Sequence, residues 1–288
     1  MVFLKAFVRQ HPVVTYFVMT FAISWGGVLL TLGSPTAGAG VKAQDNPLFP
    51  LSVVAMVLGP SATGLLLTAF LQGRQGLRDF RARLFKWRAP APLYVVALFA
   101  APLVSLAVTL TLSIFSREFL PLVFVANDKT AVVALGLVVA AVAGFFEELG
   151  WTGFAIPQLK RHHGVVATGL AVGLLWSAWH VLVVAWGIGD RAGTLPIAVF
   201  MIVDGVGSLP AFRVLMVWVY DRTESLFVGI LMHVSITATV LILTPLTTGV
   251  SLLAYGVAFS GVTWIVVAAL TVAGRGQPSK QPLRRQAA

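Results

Sequence analysis

Four side chains able to move protons stand in stretches that are otherwise apolar: Glu147, Glu148, His180 and His233. Glu147 and Glu148 are adjacent in V-A-G-F-F-E-E-L-G-W-T-G-F-A-I-P, residues 142–157. Two neighbouring carboxylates in apolar surroundings resist being anions together, which suits one of them to take up a proton as a general base. On a helix they diverge by about 100°, so Glu147 shares a face with Trp151 and Glu148 shares one with Thr152. The two should therefore have different jobs.

His180 closes the run L-L-W-S-A-W-H, with Trp176 one turn earlier on the same face. His233, in G-I-L-M-H-V-S-I-T, has Thr237 at i+4, which sets an imidazole and a hydroxyl on one helical face. Each histidine alone is accounted for by hydrogen bonding between packed helices. The combination asks for more, because convergence of two carboxylates and two imidazoles on one cavity would explain all four at once. Such a set suits two chemistries. In one, Glu147 takes a proton from water that His180 orients, while His233 and Thr237 donate hydrogen bonds to the oxyanion of an attacked amide. In the other, His180, His233 and a carboxylate such as Glu147 bind Zn²⁺, with the other Glu as base. The sequence has no HExxH on a single helix, so the metal case depends on tertiary assembly.

The elements that must position these residues follow from composition. Of 288 residues, 58% are hydrophobic and 10% charged, too apolar for a soluble domain to bury. The absence of Cys excludes disulfides, thiolate metal sites and a Cys nucleophile. Runs of about 20 apolar residues, the length of a helix that crosses a bilayer, recur eight times. They lie near Pro12–Leu32, Phe49–Leu71, Leu93–Phe115, Ala131–Pro157, Val165–Gly187, Leu195–Val219, Leu226–Leu246 and Leu252–Ala273. Barrel strands would alternate over about ten residues instead, so the expected fold is all-α, a polytopic bundle of about eight transmembrane helices. The expected organisation is a single membrane domain over residues 1–274 with its motifs in 142–239.

Even parity puts both termini on one side. All but Lys42, Arg117, Lys129 and Arg191 of the twenty Lys and Arg then fall on that side, which the positive-inside rule makes cytoplasmic. Within Arg74–Arg88, basic residues interleave with Leu77, Phe80, Leu84, Phe85 and Trp87, as in a short helix on the inner leaflet that anchors topology. The first span is read as retained rather than cleaved. The segment Arg275–Ala288 is read as a disordered basic cytoplasmic tail.

Other intramembrane polar residues have simpler expectations. Arg213 lies toward the cytoplasmic end of the sixth span, where a long side chain can snorkel to the interface. Asp204 precedes Gly205, Gly207 and Pro210, so the sixth helix should be broken or kinked there with Asp204 as its cap. Gly169 and Gly173 form a small-xxx-small face for helix packing.

The segments Glu147–Leu159 (E-E-L-G-W-T-G-F-A-I-P-Q-L), Trp176–His180 (W-S-A-W-H), Phe212–Thr223 and Leu231–Thr237 (L-M-H-V-S-I-T) resemble the CPBP family, the CAAX prenyl endopeptidases and bacteriocin-processing enzymes also called type II CAAX proteases. That family's pattern is EExxxR, an aromatic-xxx-His, then HxxxN. The resemblance implies Glu147 as water-activating base with Glu148 as its partner, His180 assisting, and His233 in the oxyanion site. It implies an intramembrane endopeptidase that acts on a hydrophobic or C-terminal peptide, prenylated in some members, with membrane lipids as neighbours and no nucleic-acid partner. Trp151, Thr152 and Trp176 are then expected to line the substrate cavity. A bacterial inner membrane is the expected location. Two positions depart: Thr152 stands where the first motif has Arg, and Thr237 where the third usually has Asn. Those departures keep open a binding or scaffold protein that captures without cutting, and Glu and His relays also serve proton-coupled transporters.

Overall fold

The computed structural model describes residues 2–33, 45–188 and 193–273. Its helices in chain order are α1 (Val2–Gln10), α2 (Pro12–Leu32), α3 (Phe49–Leu84), α4 (Ala91–Ser113), α5 (Leu122–Val125), α6 (Lys129–Gly150), α7 (Ile156–Leu159), α8 (Val165–Ile188), α9 (Ile197–Ile202), α10 (Leu209–Thr223), α11 (Leu226–Leu243) and α12 (Gly249–Ala273). A π-helical turn at Trp151–Ala155 joins α6 to α7, and another at Val203–Ser208 joins α9 to α10. Eight helices, counting each joined set as one, are long and apolar enough to cross a membrane. This is an all-α integral membrane bundle, and the eight expected spans match it with ends shifted by a few residues. Lys42, Arg191 and the expected tail Arg275–Ala288 lie outside the described residues.

Prolines inside the spans set much of the local geometry. A proline has no N–H and its ring crowds the carbonyl four residues back, which then needs another donor in a medium without water. Pro60 in α3 leaves the Met56 carbonyl free, and Ser24 of α2 donates its hydroxyl there at 2.7 Å. Pro102 in α4 leaves the Leu98 carbonyl free, and Ser235 of α11 donates there at 2.7 Å. Pro157 leaves the Gly153 carbonyl, and Arg83 Nη2 donates to it at 3.0 Å. Each repair also ties two helices together.

Both π turns run directly into a proline, Pro157 or Pro210. Widening the turn by one residue moves the crowded carbonyl out of the proline ring's way. The sixth span is therefore not broken as the sequence suggested. Asp204 sits within the wide turn, where Ser208 hydroxyl approaches its carboxylate at 3.4 Å, and caps no helix. The glycines at 205 and 207 permit a break; the apolar surroundings favour the continuous hydrogen-bonded path.

In α3, Gly73 has φ +61°, a left-handed conformation that turns the basic segment away from the membrane span. That segment does more than anchor topology. Phe80 is buried with Leu149, Leu226 and Ile230, and Arg83 also donates to the Tyr220 hydroxyl at 2.9 Å.

The spans are arranged around α10. It packs on α8, α12, α11 and α4, and nearly every residue from Pro210 to Asp221 is buried. Around it α2 lies on α3, α3 on α6, α6 on α11, and α11 on α4. Close approach depends on missing side chains: a Cβ at Gly169 would come within 2.5 Å of Val214 Cα, and one at Gly173 within 2.6 Å of Pro210 Cα. The expected small-residue face thus packs α8 on α10. At Gly150 an added Cβ would meet the Pro60 carbonyl and the Tyr16 hydroxyl, both at 2.3 Å. This seats α6 tightly against α3 immediately after the Glu pair.

Candidate active site

The Glu pair lies in the last turn of α6, about 17 Å from the end of α7 at 1.5 Å per residue. Both carboxylates are buried, Glu147 at 4% and Glu148 at 0% exposure. Neither points into lipid.

The 100° divergence along the helix sends them to different neighbours. Glu148 Oε1 accepts from Arg213 Nη1 on α10 at 2.8 Å and from His233 Nδ1 on α11 at 2.7 Å. Its Oε2 accepts from the Thr152 hydroxyl one turn later. Three donors on two oxygens is the coordination that suits a carboxylate, which only accepts. Glu147 Oε2 accepts instead from two indoles, Trp176 Nε1 on α8 at 2.9 Å and Trp151 Nε1 at 3.3 Å. Its Oε1 makes no hydrogen bond among the described residues.

His233 stands between them. With Nδ1 on Glu148, its Nε2 faces Glu147 Oε2 at 3.9 Å, and its ring meets the edge of Trp176 at 5.4 Å between centroids. His180 sits one turn beyond Trp176, with Nδ1 2.9 Å from the Trp176 carbonyl. A carbonyl can only accept, so Nδ1 carries the proton in that bond and Nε2 of the neutral ring is left with a lone pair. Its ring also packs edge-on against Trp176 and Trp179. Thr237 is half-buried one turn after His233 and makes no hydrogen bond among the described residues. Its hydroxyl is uncommitted.

Two expectations change. Arg213 does not snorkel: it is fully buried, paired with Glu148, and stacked over the Trp176 ring at 4.2 Å. Glu148 supplies a buried counter-charge that holds the guanidinium inside the bundle. Trp151, Thr152 and Trp176 do not form open cavity walls, being 0%, 1% and 2% exposed. Their polar atoms are spent on the two carboxylates.

The residues suggested for a metal do not come together as a donor set. Among the described residues no three His, Asp or Glu are gathered so as to hold an ion. Glu147 Oε2 is occupied by indoles, while each histidine bonds through Nδ1 and leaves Nε2 available. A further cation, Arg213, stands 2.8 Å from Glu148, the nearest additional carboxylate.

Residues 129–239 match the model of a family described as type II CAAX prenyl endopeptidase Rce1-like. The Rce1-like segment runs from the start of α6 into α11 and holds Glu147, Glu148, His180, Arg213, His233 and Thr237. A curated relative, CAAX prenyl protease 2 of Methanococcus maripaludis, is 24% identical over 180 residues, which cover 57% of this chain and 58% of that protein. The chain thus spans somewhat over half the length of the relative it matches.

Sequence reasoning missed Arg213 as a partner of Glu148 and Arg83 as a support of the turn that follows the Glu pair. The signal for Arg213 was present, since it is a basic residue inside a span with two unpaired carboxylates to account for. Nothing in the sequence separates Arg83 from its basic neighbours; only the carbonyl left by Pro157 does.

Proposed function

We propose that the chain is an intramembrane endopeptidase in which Glu147 activates water. The observation that carries this reading is the unequal treatment of adjacent carboxylates: Glu148 is saturated by donors, while Glu147 is held by one oxygen with the other open. A general base needs that arrangement, a fixed carboxylate with a free lone pair. In the proposed cycle Glu147 Oε1 takes a proton from water, and His180 Nε2 accepts the water's other hydrogen bond. The hydroxide attacks the scissile carbonyl. His233 donates Nε2–H to the oxyanion when its ring is protonated, and Thr237 adds its hydroxyl. Glu147 then returns its proton to the leaving amine.

The name of the archaeal relative directs the choice of substrate to a prenylated C-terminal peptide. Purified protein in liposomes is incubated with a farnesylated peptide and its unmodified counterpart, comparing wild type with Glu147→Gln. Cleavage by the wild type and a loss of about 10²- to 10⁴-fold in the variant is expected. Equal turnover removes Glu147 from the reaction.

The reading also takes both termini as cytoplasmic from the distribution of basic residues, and a bacterial inner membrane from the family resemblance. A chain without Cys allows single introduced cysteines to be labelled unambiguously. Labelling at the exposed positions 3 and 163 only from the cytoplasmic side is the expected outcome.

A further inference from the structure

Resting on that reading, we infer that Arg213 is a positioning residue: it supplies from α10 the positive charge that related motifs carry at the position of Thr152, and so fixes Glu148 and His233 for the reaction. Position 152 is one turn from Glu148, and its Thr hydroxyl reaches only Oε2. A neutral hydroxyl cannot offset a buried carboxylate. The charge arrives instead across the bundle, 2.8 Å from Oε1, on a side chain with no exposed surface. The charged groups around Glu148 are then Arg213, His233 and, next in the chain, Glu147.

The same guanidinium acts on both carboxylates. It shares Glu148 Oε1 with His233, which sets the ring so that Nε2 faces Glu147. Its plane lies over Trp176, whose indole holds Glu147 Oε2. Removing the charge should therefore loosen the base and the imidazole together, with no contact between Arg213 and substrate required.

The geometry also says where an arginine could return. Thr152 faces Gly229 on α11, where an added Cβ would come within 3.1 Å of the Thr152 methyl. Gly229 presents no side chain there, and shortening residue 213 frees the volume of a guanidinium beside Glu148. Two arginines at once would crowd a single carboxylate.

The test is a swap, using the full chain in detergent and in liposomes. Arg213→Leu, Arg213→Lys, Thr152→Arg and the double variant Thr152→Arg with Arg213→Leu are compared with wild type in thermal unfolding and in kcat and KM for the farnesylated peptide. Arg213→Leu should lower kcat about 10- to 100-fold with KM within about threefold, as for loss of a charge-assisted bond that acts through another group. Arg213→Lys should fall between. Thr152→Arg alone should unfold earlier than wild type. The double variant should regain both the melting temperature and kcat relative to Arg213→Leu, a coupling that independent sites do not show. If Arg213→Leu fails to fold, recovery of a folded species in the double variant carries the same meaning. A double variant no better than Arg213→Leu in either measurement overturns the inference, as does an unchanged kcat in Arg213→Leu. If no form cleaves the peptide, the peptidase reading fails, while the melting temperatures still decide whether the two positions exchange one charge.

Discussion

The two faces at the end of α6 begin from the same residue and end in opposite environments. On the face toward α10 and α11, Glu148 meets a guanidinium, an imidazole N–H and a hydroxyl. On the other face Glu147 Oε2 accepts from two indole N–H groups, with His233 Nε2 3.9 Å away, and its Oε1 has no hydrogen bond among the described residues. Charged donors immobilise a carboxylate as an anion; neutral donors on a single oxygen orient it and leave it free to react. A one-residue step along a helix is enough to separate a carboxylate bound by charged donors from one bound by indoles, because the helix turns each toward a different neighbour.

The largest effect that could break this comparison is the split in activity between the two glutamates. Glu147→Gln keeps an acceptor for the indoles, so it should leave the melting temperature near wild type while activity falls by the two to four orders of magnitude given above. A variant that lost fold and activity together would erase the distinction. Next in size, Glu148→Ala should destabilise the protein by about 3–5 kcal/mol, the cost of leaving Arg213 buried without its counter-charge. Unfolding in detergent measures it, and a loss below about 1 kcal/mol, the range of an exposed pair, would mean that the charge is held some other way.

A smaller effect sharpens the Glu147 face. Trp176→Phe preserves the ring under Arg213 and deletes one N–H donor at 2.9 Å, so a cost of about 0.5–1.5 kcal/mol is expected in stability. Its activity should drop by more than that of Trp151→Phe, whose indole bond is longer at 3.3 Å. The reverse order would assign the orientation of Glu147 to its own helix.

The smallest effect concerns a carboxylate outside the spans. Glu118 accepts from Thr247 and Ser251, both at 3.0 Å, and these bonds hold its carboxyl below the ordinary glutamate value, Thr247 foremost. Because the folded value is depressed, the contribution is present above the ordinary glutamate value and lost as pH falls through the folded one. Carbon chemical shifts of the Glu118 carboxyl should titrate below the ordinary range, and Thr247→Val should move the midpoint upward. No movement would show that the Thr247 hydroxyl does not act on it.

Much of the fold was legible because hydrophobic length is a local property. Pro12–Leu32 was placed to the residue, and the other seven spans to within a few residues at all but one end, the second continuing from Leu71 through the Gly73 turn to Leu84. The pairings of Glu147 with Trp151 and of Glu148 with Thr152 followed from helical periodicity and are present as hydrogen bonds. The break expected at Gly205–Pro210 is replaced by a wide turn for an identifiable reason: a proline in lipid can be accommodated by widening the helix, whereas breaking the helix would strand more polar groups.

What the sequence determined by itself, then, is what depends on neighbours a few residues apart: eight membrane-crossing lengths, the divergence of the two carboxylates, and the missing arginine at 152. What only the tertiary structure decided is which distant side chain answers each local deficit. Arg213 answers Thr152, Arg83 answers Pro157, and Ser24 and Ser235 answer Pro60 and Pro102. Inside a bilayer no water can fill such a gap, so the need is written in the local sequence while the donor is chosen by which helices come to lie side by side.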